Sequence, residues 1–243
     1  MAGSVPFMAP LRVGEVAGVP SDKQVEVVVF DVNETLSDMT AMEARFADVG
    51  ADPGLARTWF AGLLRDGFAR TVSGTSERFA TLAREGAYAA LGGCALDRAL
   101  DDAVDHVVSG FEGLDVHPDV PGGIRALRAG GLRLVTLSNG AASVAAGLLR
   151  RAGLGDECEM LLSVEDAQVW KPAAGAYEYA ARRCQVDIAA MMLVAVHPWD
   201  VDGAARAGMQ TAWVDRAGAR YPSYFTTPDR TAVGIDDLAG QLT

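Results

Sequence analysis

Two carboxylates and one ammonium, Asp31, Asp200 and Lys171, stand where this 243-residue chain could do chemistry. Asp31 closes the nearly all-apolar run VEVVVF (25–30), where a carboxylate is costly unless it is paired. Lys171 precedes Pro172, which keeps it out of the helical region and can aim its cation into a cleft. Asp200 lies in the polar stretch His197-Pro198-Trp199-Asp200 after another apolar run. A carboxylate can act as a nucleophile and form an ester or acyl intermediate. A neighbouring ammonium keeps it ionised, and a second acid can orient the water that attacks the intermediate. Small polar residues at matching places, Asn33, Thr35, Ser138 and Asn139, can hold a substrate anion together with backbone N–H groups. These residues read together as a hydrolase that uses Asp31 covalently on a small anionic substrate.

The elements that must position them follow from the hydrophobic pattern. Strands are expected at 25–30, 132–137, 160–164, 191–196 and 211–215, each an apolar run ending in polar residues. Between them lie AASVAAGLLRRAG, stopped by Gly153, then AAGAYEYAARRC with Pro172 at its first position, and a helix over about 202–208. Strands alternating with helices imply an α/β fold with a doubly wound parallel sheet. In such sheets ligands sit at the carboxyl ends of the strands, where the strand order reverses, and the candidate residues lie there. The stretch 38–114 carries apolar residues at helical spacing and no convincing strand, so it reads as a helical insertion. The expected organisation is a loose leader over 1–24, an α/β core over 25–37 and 115–243, and a helical cap subdomain over 38–114.

Composition narrows the class. With 21 Lys and Arg against 32 Asp and Glu, the net charge of −11 disfavours nucleic acid and anionic membrane surfaces as partners. No run of 18 apolar residues suggests a membrane span. Cys94, Cys158 and Cys184 are widely separated and odd in number, which reads as free thiols in a reducing, cytoplasmic setting.

On these residues the sequence resembles the haloacid dehalogenase superfamily. The motifs FDVNETL (30–36), LSNG (137–140), Lys171-Pro172 with Tyr177 downstream, and HPWDVDGAARAGM (197–209) occur in its order and spacing. AQVWKPAAGAYEYA and the Trp-Asp of the fourth motif look most like the L-2-haloacid dehalogenase (type II) branch. The resemblance implies a Rossmann-like core with a cap inserted after the first strand. It implies an Asp nucleophile that displaces halide from a small 2-haloalkanoic acid, no metal and no organic cofactor, and a homodimer. Asp31 would be the nucleophile. Thr35, Ser138 and Asn139 would position Asp31 or the substrate. Lys171 would bind Asp31, Tyr177 would support Lys171, and Asp200 would orient the hydrolytic water or pair with Lys171. Trp199 would line the pocket floor.

This sequence departs from that pattern at three places. Asn33 and Glu34 stand where the branch has Tyr and Gly, and where superfamily phosphatases carry a second Asp at the position of Asn33. His197 stands in the place of an Asn and could donate a hydrogen bond or act as a base. Trp59 is followed by Phe60 where the branch has its halide-binding Arg, which makes Phe60 a substrate-facing candidate and leaves Arg57, Arg65 and Arg70 as alternative cations. Two other readings compete with the dehalogenase. One is a Mg²⁺-dependent phosphatase of small metabolites, which Asn33 disfavours because an amide cannot give or take a proton at neutral pH. The other is a non-catalytic binding protein on the same fold, which the intact Asp31, Lys171 and Asp200 disfavour.

Overall fold

The structure is a computed structural model, and it describes residues 24–243. The leader expected over 1–24 falls, but for Gln24, outside the described residues. Six parallel strands form one sheet in the order β3-β2-β1-β4-β5-β6. In chain order β1 is Val27–Phe30, followed by α1 (Ala41–Ala47), α2 (Leu55–Val72), α3 (Phe79–Leu91) and α4 (Leu100–Ser109). A 3₁₀ turn at Gly110–Gly113 and α5 (Val120–Ala129) lead to β2 (Arg133–Ser138), α6 (Ala142–Arg151) and β3 (Met160–Ser163). Then come α7 (Val164–Ala167), α8 (Ala174–Cys184), β4 (Met191–Ala195), α9 (Pro198–Ala207), β5 (Gln210–Val214), β6 (Arg230–Ala232) and α10 (Ile235–Leu242).

The order reverses at β1, which lies between β2 and β4. That central position explains its composition: every residue of VVVF is buried, because helices cover both faces. Phe30 pairs in register with Thr136 of β2 and Val194 of β4, so the residues just beyond these three positions share one edge of the sheet. Asp31 is the first residue past β1 on that edge, and His197 begins the turn into α9 on the β4 side.

Three expectations are corrected. A sixth strand, β6, pairs with β5 at the edge; its sequence Arg-Thr-Ala is mostly exposed and carries no apolar run to announce it. Helix α9 starts at Pro198 instead of about 202, with Pro in the first turn, where its missing N–H costs nothing. Pro172 does not open α8: the helix begins at Ala174, and Pro172 follows a cis peptide bond from Lys171.

The residues between β1 and β2 hold α1 to α5 and no named strand; only Ser37 makes isolated bridges, to Asn33 and Val116. Helices α2 and α3 meet the part of the chain that follows β3 through aromatic contacts. Phe79 of α3 stacks on Trp170, with ring centroids 6.1 Å apart and planes 13° apart. Phe68 of α2 meets the edge of Trp199 at 4.9 Å. Helix α2 approaches Trp170 so closely that a Cβ on Gly67 would lie 2.4 Å from its indole ring. Among the described residues no helix is long and apolar enough to cross a membrane.

Candidate active site

The turn after β1 folds back on itself, with Leu36 and Ser37 N–H both donating to the Val32 carbonyl. This turn returns Thr35 to Asp31, and its hydroxyl donates to Asp31 Oδ2 over 2.7 Å. The Thr35 oxygen in turn accepts from Val196 N–H at 3.1 Å, tying the turn to the end of β4. Within the same turn Glu34 adopts φ 62, a left-handed conformation that is uncommon for a residue with a side chain. Its carbonyl lies 3.0 Å from His117 Nε2.

Lys171 is completely buried and lies between the two acids. Its Nζ donates to Asp31 Oδ1 at 2.8 Å and to Asp200 Oδ2 at 2.6 Å. The Tyr177 hydroxyl donates to Asp200 Oδ1 at 2.6 Å, so both oxygens of Asp200 are engaged. The Lys171 backbone is clamped by Asn139, whose Oδ1 accepts from Lys171 N–H at 3.0 Å and whose Nδ2 donates to its carbonyl at 3.3 Å. Gly203 lets α9 close on this cluster: a Cβ there would lie 2.7 Å from the Pro172 carbonyl oxygen and the Tyr177 hydroxyl oxygen.

His197 completes the arrangement. Its Nδ1 lies 3.1 Å from Asp31 Oδ2 and its Nε2 lies 2.7 Å from Glu34 Oε2. The ring stacks on Trp199, with centroids 4.9 Å apart. With a carboxylate at each nitrogen, the imidazole is doubly protonated. Burial disfavours that charge, but the bonds to Asp31 and Glu34 outweigh it and push the pKa up to about 9.

Burial likewise works to raise the Asp31 carboxyl. The Lys171 ammonium first, and then His197, overcome this and hold it far below the usual carboxylate range. Burial pushes Lys171 down, and the charges of Asp200 and Asp31 outweigh it and raise it above its ordinary value. Asp31 is therefore an ionised carboxylate at neutral pH, poised as a nucleophile.

Two cavities flank this cluster. One of about 110 Å³ is lined chiefly by apolar groups, among them Val32, Phe79, Ala80, Phe111 and Val144, with Asn33 and Ser138 as polar members. The other, about 480 Å³, is more open and lined by Glu34, Phe60, His117, His197 and Arg216 among others.

The sequence-derived candidates thus fall into groups. Asp31, Thr35, Lys171, Tyr177, His197 and Asp200 form one hydrogen-bonded cluster, with Asn139 holding the Lys171 backbone. Asn33 and Ser138 face the apolar cavity, and the Ser138 hydroxyl accepts from Gly140 N–H at 2.9 Å. Phe60 lies elsewhere: it packs 6.5 Å from Phe111 and borders the open cavity. Trp199 borders neither cavity and is packed between His197 and Phe68. Of the three arginines, Arg57 pairs with Glu43 beside the open cavity and Arg65 pairs with Asp66 at the surface. None of the three lines the apolar cavity.

Three residues here were not among the candidates. Phe79 and Phe111 line the apolar cavity because α3 and the 3₁₀ turn bring them there, and at the sequence level they look like ordinary helix-packing aromatics. Glu34 had a signal: a charged side chain three residues past Asp31, where the branch has Gly.

Comparison with known proteins shows the family of the chain. A family model described as haloacid dehalogenase-like hydrolase matches residues 25–208. The chain belongs to the haloacid dehalogenase-like hydrolases. Haloacetate dehalogenase H-2 of Moraxella sp. (strain B) is 29% identical over 220 residues, covering 89% of this chain and 97% of that one. An (S)-2-haloacid dehalogenase of Pseudomonas sp. (strain YL) is 37% identical over 111 residues, 46% of this chain and 48% of the relative. The crystal structure of an L-2-haloacid dehalogenase superposes with a TM-score of 0.84 at 25% identity, covering 90% of this chain and 99% of the other. The motifs quoted above therefore belong to a hydrolase of this family, on the α/β fold they implied.

Proposed function

We propose that this protein hydrolyses small 2-haloalkanoic acids without a metal, through an ester on Asp31. The observation that carries this reading is the single ammonium of Lys171 lodged between Asp31 and Asp200, with the ionised Asp31 beside a small apolar cavity. The dehalogenase names of the relatives support it. Asp31 attacks carbon 2 of the acid, the carbon–halogen bond breaks, and halide leaves with the bonding electrons. Water then attacks Cγ of the Asp31 ester and releases the 2-hydroxy acid. Lys171 keeps Asp31 ionised for the first step. Thr35 and His197 fix the plane of its carboxylate. Asn33 and Ser138 supply polar contacts in the apolar cavity, where Phe79 and Phe111 hold the carbon skeleton. The helices over 38–114 act as the cap that closes this cavity against water.

The donor set suits a metal-free reaction. Mg²⁺ takes an octahedral oxygen shell, usually with carboxylates. Here Lys171 already occupies the space between the two carboxylates, and the position two residues past the nucleophile is the amide Asn33.

The test is halide release from chloroacetate, fluoroacetate and racemic 2-chloro- and 2-bromopropionate, with EDTA present. Release that persists in EDTA and disappears in Asp31→Asn is the expected result. Release that requires Mg²⁺, or none from any of the four acids, contradicts the reading.

A further inference from the structure

The turn that follows Asp31 is gripped along its backbone. The carbonyls of three successive residues are each engaged from outside the turn. That of Glu34 lies 3.0 Å from His117 Nε2, that of Thr35 accepts from Arg216 Nη2 at 2.8 Å, and that of Leu36 accepts from His117 N–H at 3.0 Å. Arg216 is the second residue past β5 and lies 181 positions along the chain from Thr35. Its guanidinium is also forked on Asp119, with Nη1 donating to Oδ1 at 2.7 Å and Nη2 to Oδ2 at 3.2 Å. Ile235 N–H, at the start of α10, donates to the same Oδ2 at 2.7 Å. Both side chains of the pair are mostly buried, Arg216 at 18% exposed and Asp119 at 17%. Burial works to raise the Asp119 carboxyl, but the bonds from Arg216 and from Ile235 N–H hold it below its ordinary value. Arg216 Nε is buried and finds no hydrogen-bond partner among the described residues. An unpaired buried donor is costly, so the fork is placed by its two other contacts, Asp119 and the Thr35 carbonyl.

We infer that Arg216, braced by Asp119, is a positioning residue for Asp31 and acts through Thr35. The inference rests on the covalent reading above and adds a residue to its first step. Thr35 has one hydroxyl proton. Val196 N–H donates to the hydroxyl oxygen at 3.1 Å, so that proton is left for Asp31 Oδ2, 2.7 Å away. The direction of this bond depends on where the Thr35 backbone sits, and Arg216 fixes that backbone at the carbonyl of the same residue. With Lys171 on Oδ1, the Asp31 carboxylate is then held at both oxygens. Displacement at carbon needs the attacking oxygen in line with the breaking carbon–halogen bond, and small misplacements are expensive in rate. Arg216 borders the open cavity and not the apolar one given to the substrate, so it acts on alignment and not on binding. Asp119 lies two residues past His117, on the chain returning from α1 to α4. The clamp therefore joins the place where the chain leaves β1 to the place where it comes back. An arginine suits the task because its planar fork serves a carboxylate and a carbonyl at once, a geometry that an ammonium does not reproduce.

The test uses the full chain with 2-chloropropionate and reads the rate of halide release in a single turnover, enzyme in excess. Arg216→Lys keeps a positive charge beside Asp119 and loses the fork. It is expected to slow release roughly 10–100-fold, with the half-saturating concentration within about twofold of wild type. The decisive readout is a double-variant cycle with Thr35→Val, which removes the hydroxyl through which Arg216 acts. In that background Arg216→Lys is expected to cost less than about threefold, because the two residues belong to one chain of contacts. General damage to the fold slows both backgrounds by the same factor. Equal losses in the two backgrounds overturn the assignment, and so does an Arg216→Lys enzyme within about threefold of wild type. If Arg216→Lys does not fold, Asp119→Asn takes its place in the cycle. It keeps an acceptor for Ile235 N–H and removes the charge that braces Arg216, and the same two outcomes decide. Wild-type protein that releases no halide defeats the dehalogenase reading itself and this assignment with it, whereas wild-type release with equal losses in the cycle defeats this assignment alone.

Discussion

Lys171 Nζ donates to Asp31 Oδ1 over 2.8 Å, joining two residues that lie 140 positions apart in the chain. The bond fixes the charge of the proposed nucleophile, because burial alone drives Asp31 toward its neutral form and the ammonium reverses that.

Removing the ammonium is therefore expected to harm both fold and rate. Lys171→Ala leaves Asp31 and Asp200 as buried carboxylates without their shared counter-charge, a change that typically costs about 3–5 kcal/mol. Chemical denaturation measures that loss. With Lys171 gone the pKa of Asp31 rises, so the acid limb of halide release moves toward neutral pH. A small stability change with an unmoved limb contradicts the role given to Lys171.

His197 predicts a slope of stability with pH. Its folded pKa, about 9, lies above the ordinary 6.5, so the stabilisation is fully present below about pH 6.5 and is lost as pH rises through 9. The difference corresponds to at most about 3 kcal/mol. Cys158, whose thiol burial pushes up to about 12, contributes a similar loss only above pH 9 and leaves the lower window to His197. Urea unfolding of wild type between pH 6.5 and 9 is expected to show the slope, and His197→Asn to flatten it.

The close packing of α2 on Trp170 is tested by two glycines of that helix, one at the contact and one away from it. An Ala at Gly67 places its methyl 2.4–2.8 Å from the rigid Trp170 ring, the kind of overpacking that typically costs about 1–3 kcal/mol. Gly62, where a Cβ meets only the far end of Arg65 at 3.9 Å, is expected to gain up to about 1 kcal/mol from the same substitution. Thermal melts of the two variants should move in opposite directions.

Substrate size should follow the apolar cavity. Ala80 borders it from an exposed position on α3, so Ala80→Leu fills space there without disturbing buried packing. The expected result is a larger fall in kcat/KM for 2-bromobutyrate than for chloroacetate. An equal fall for both places the substrate elsewhere.

The sequence made the strand-end chemistry readable because each acid or base follows an apolar run that can only be a buried strand. Asp31 after VVVF, and Asp200 in the turn and first helical residues after β4, are legible for that reason, and Lys171 because a buried acid needs a counter-charge. What escaped is what depends on turn conformation and on the packing of the insertion. Glu34 reaches His197 only because its φ is positive, which no residue pattern displays. Phe79 and Phe111 face the apolar cavity and Phe60 borders the open one, although all three are aromatic residues of the stretch between β1 and β2; the mutual placement of α2, α3 and the 3₁₀ turn decides between them. Trp199 is drawn away from the cavity by its contacts with His197 and Phe68.

A single turnover in H₂¹⁸O, with enzyme in excess over 2-chloropropionate, tests the covalent account most directly. If Asp31 is the nucleophile, the first hydroxy acid released carries unlabelled oxygen from the enzyme, and digestion of the protein finds ¹⁸O in the peptide containing Asp31. Label in the product of that first turnover, with Asp31 unlabelled, means that water attacks the substrate directly and contradicts the account.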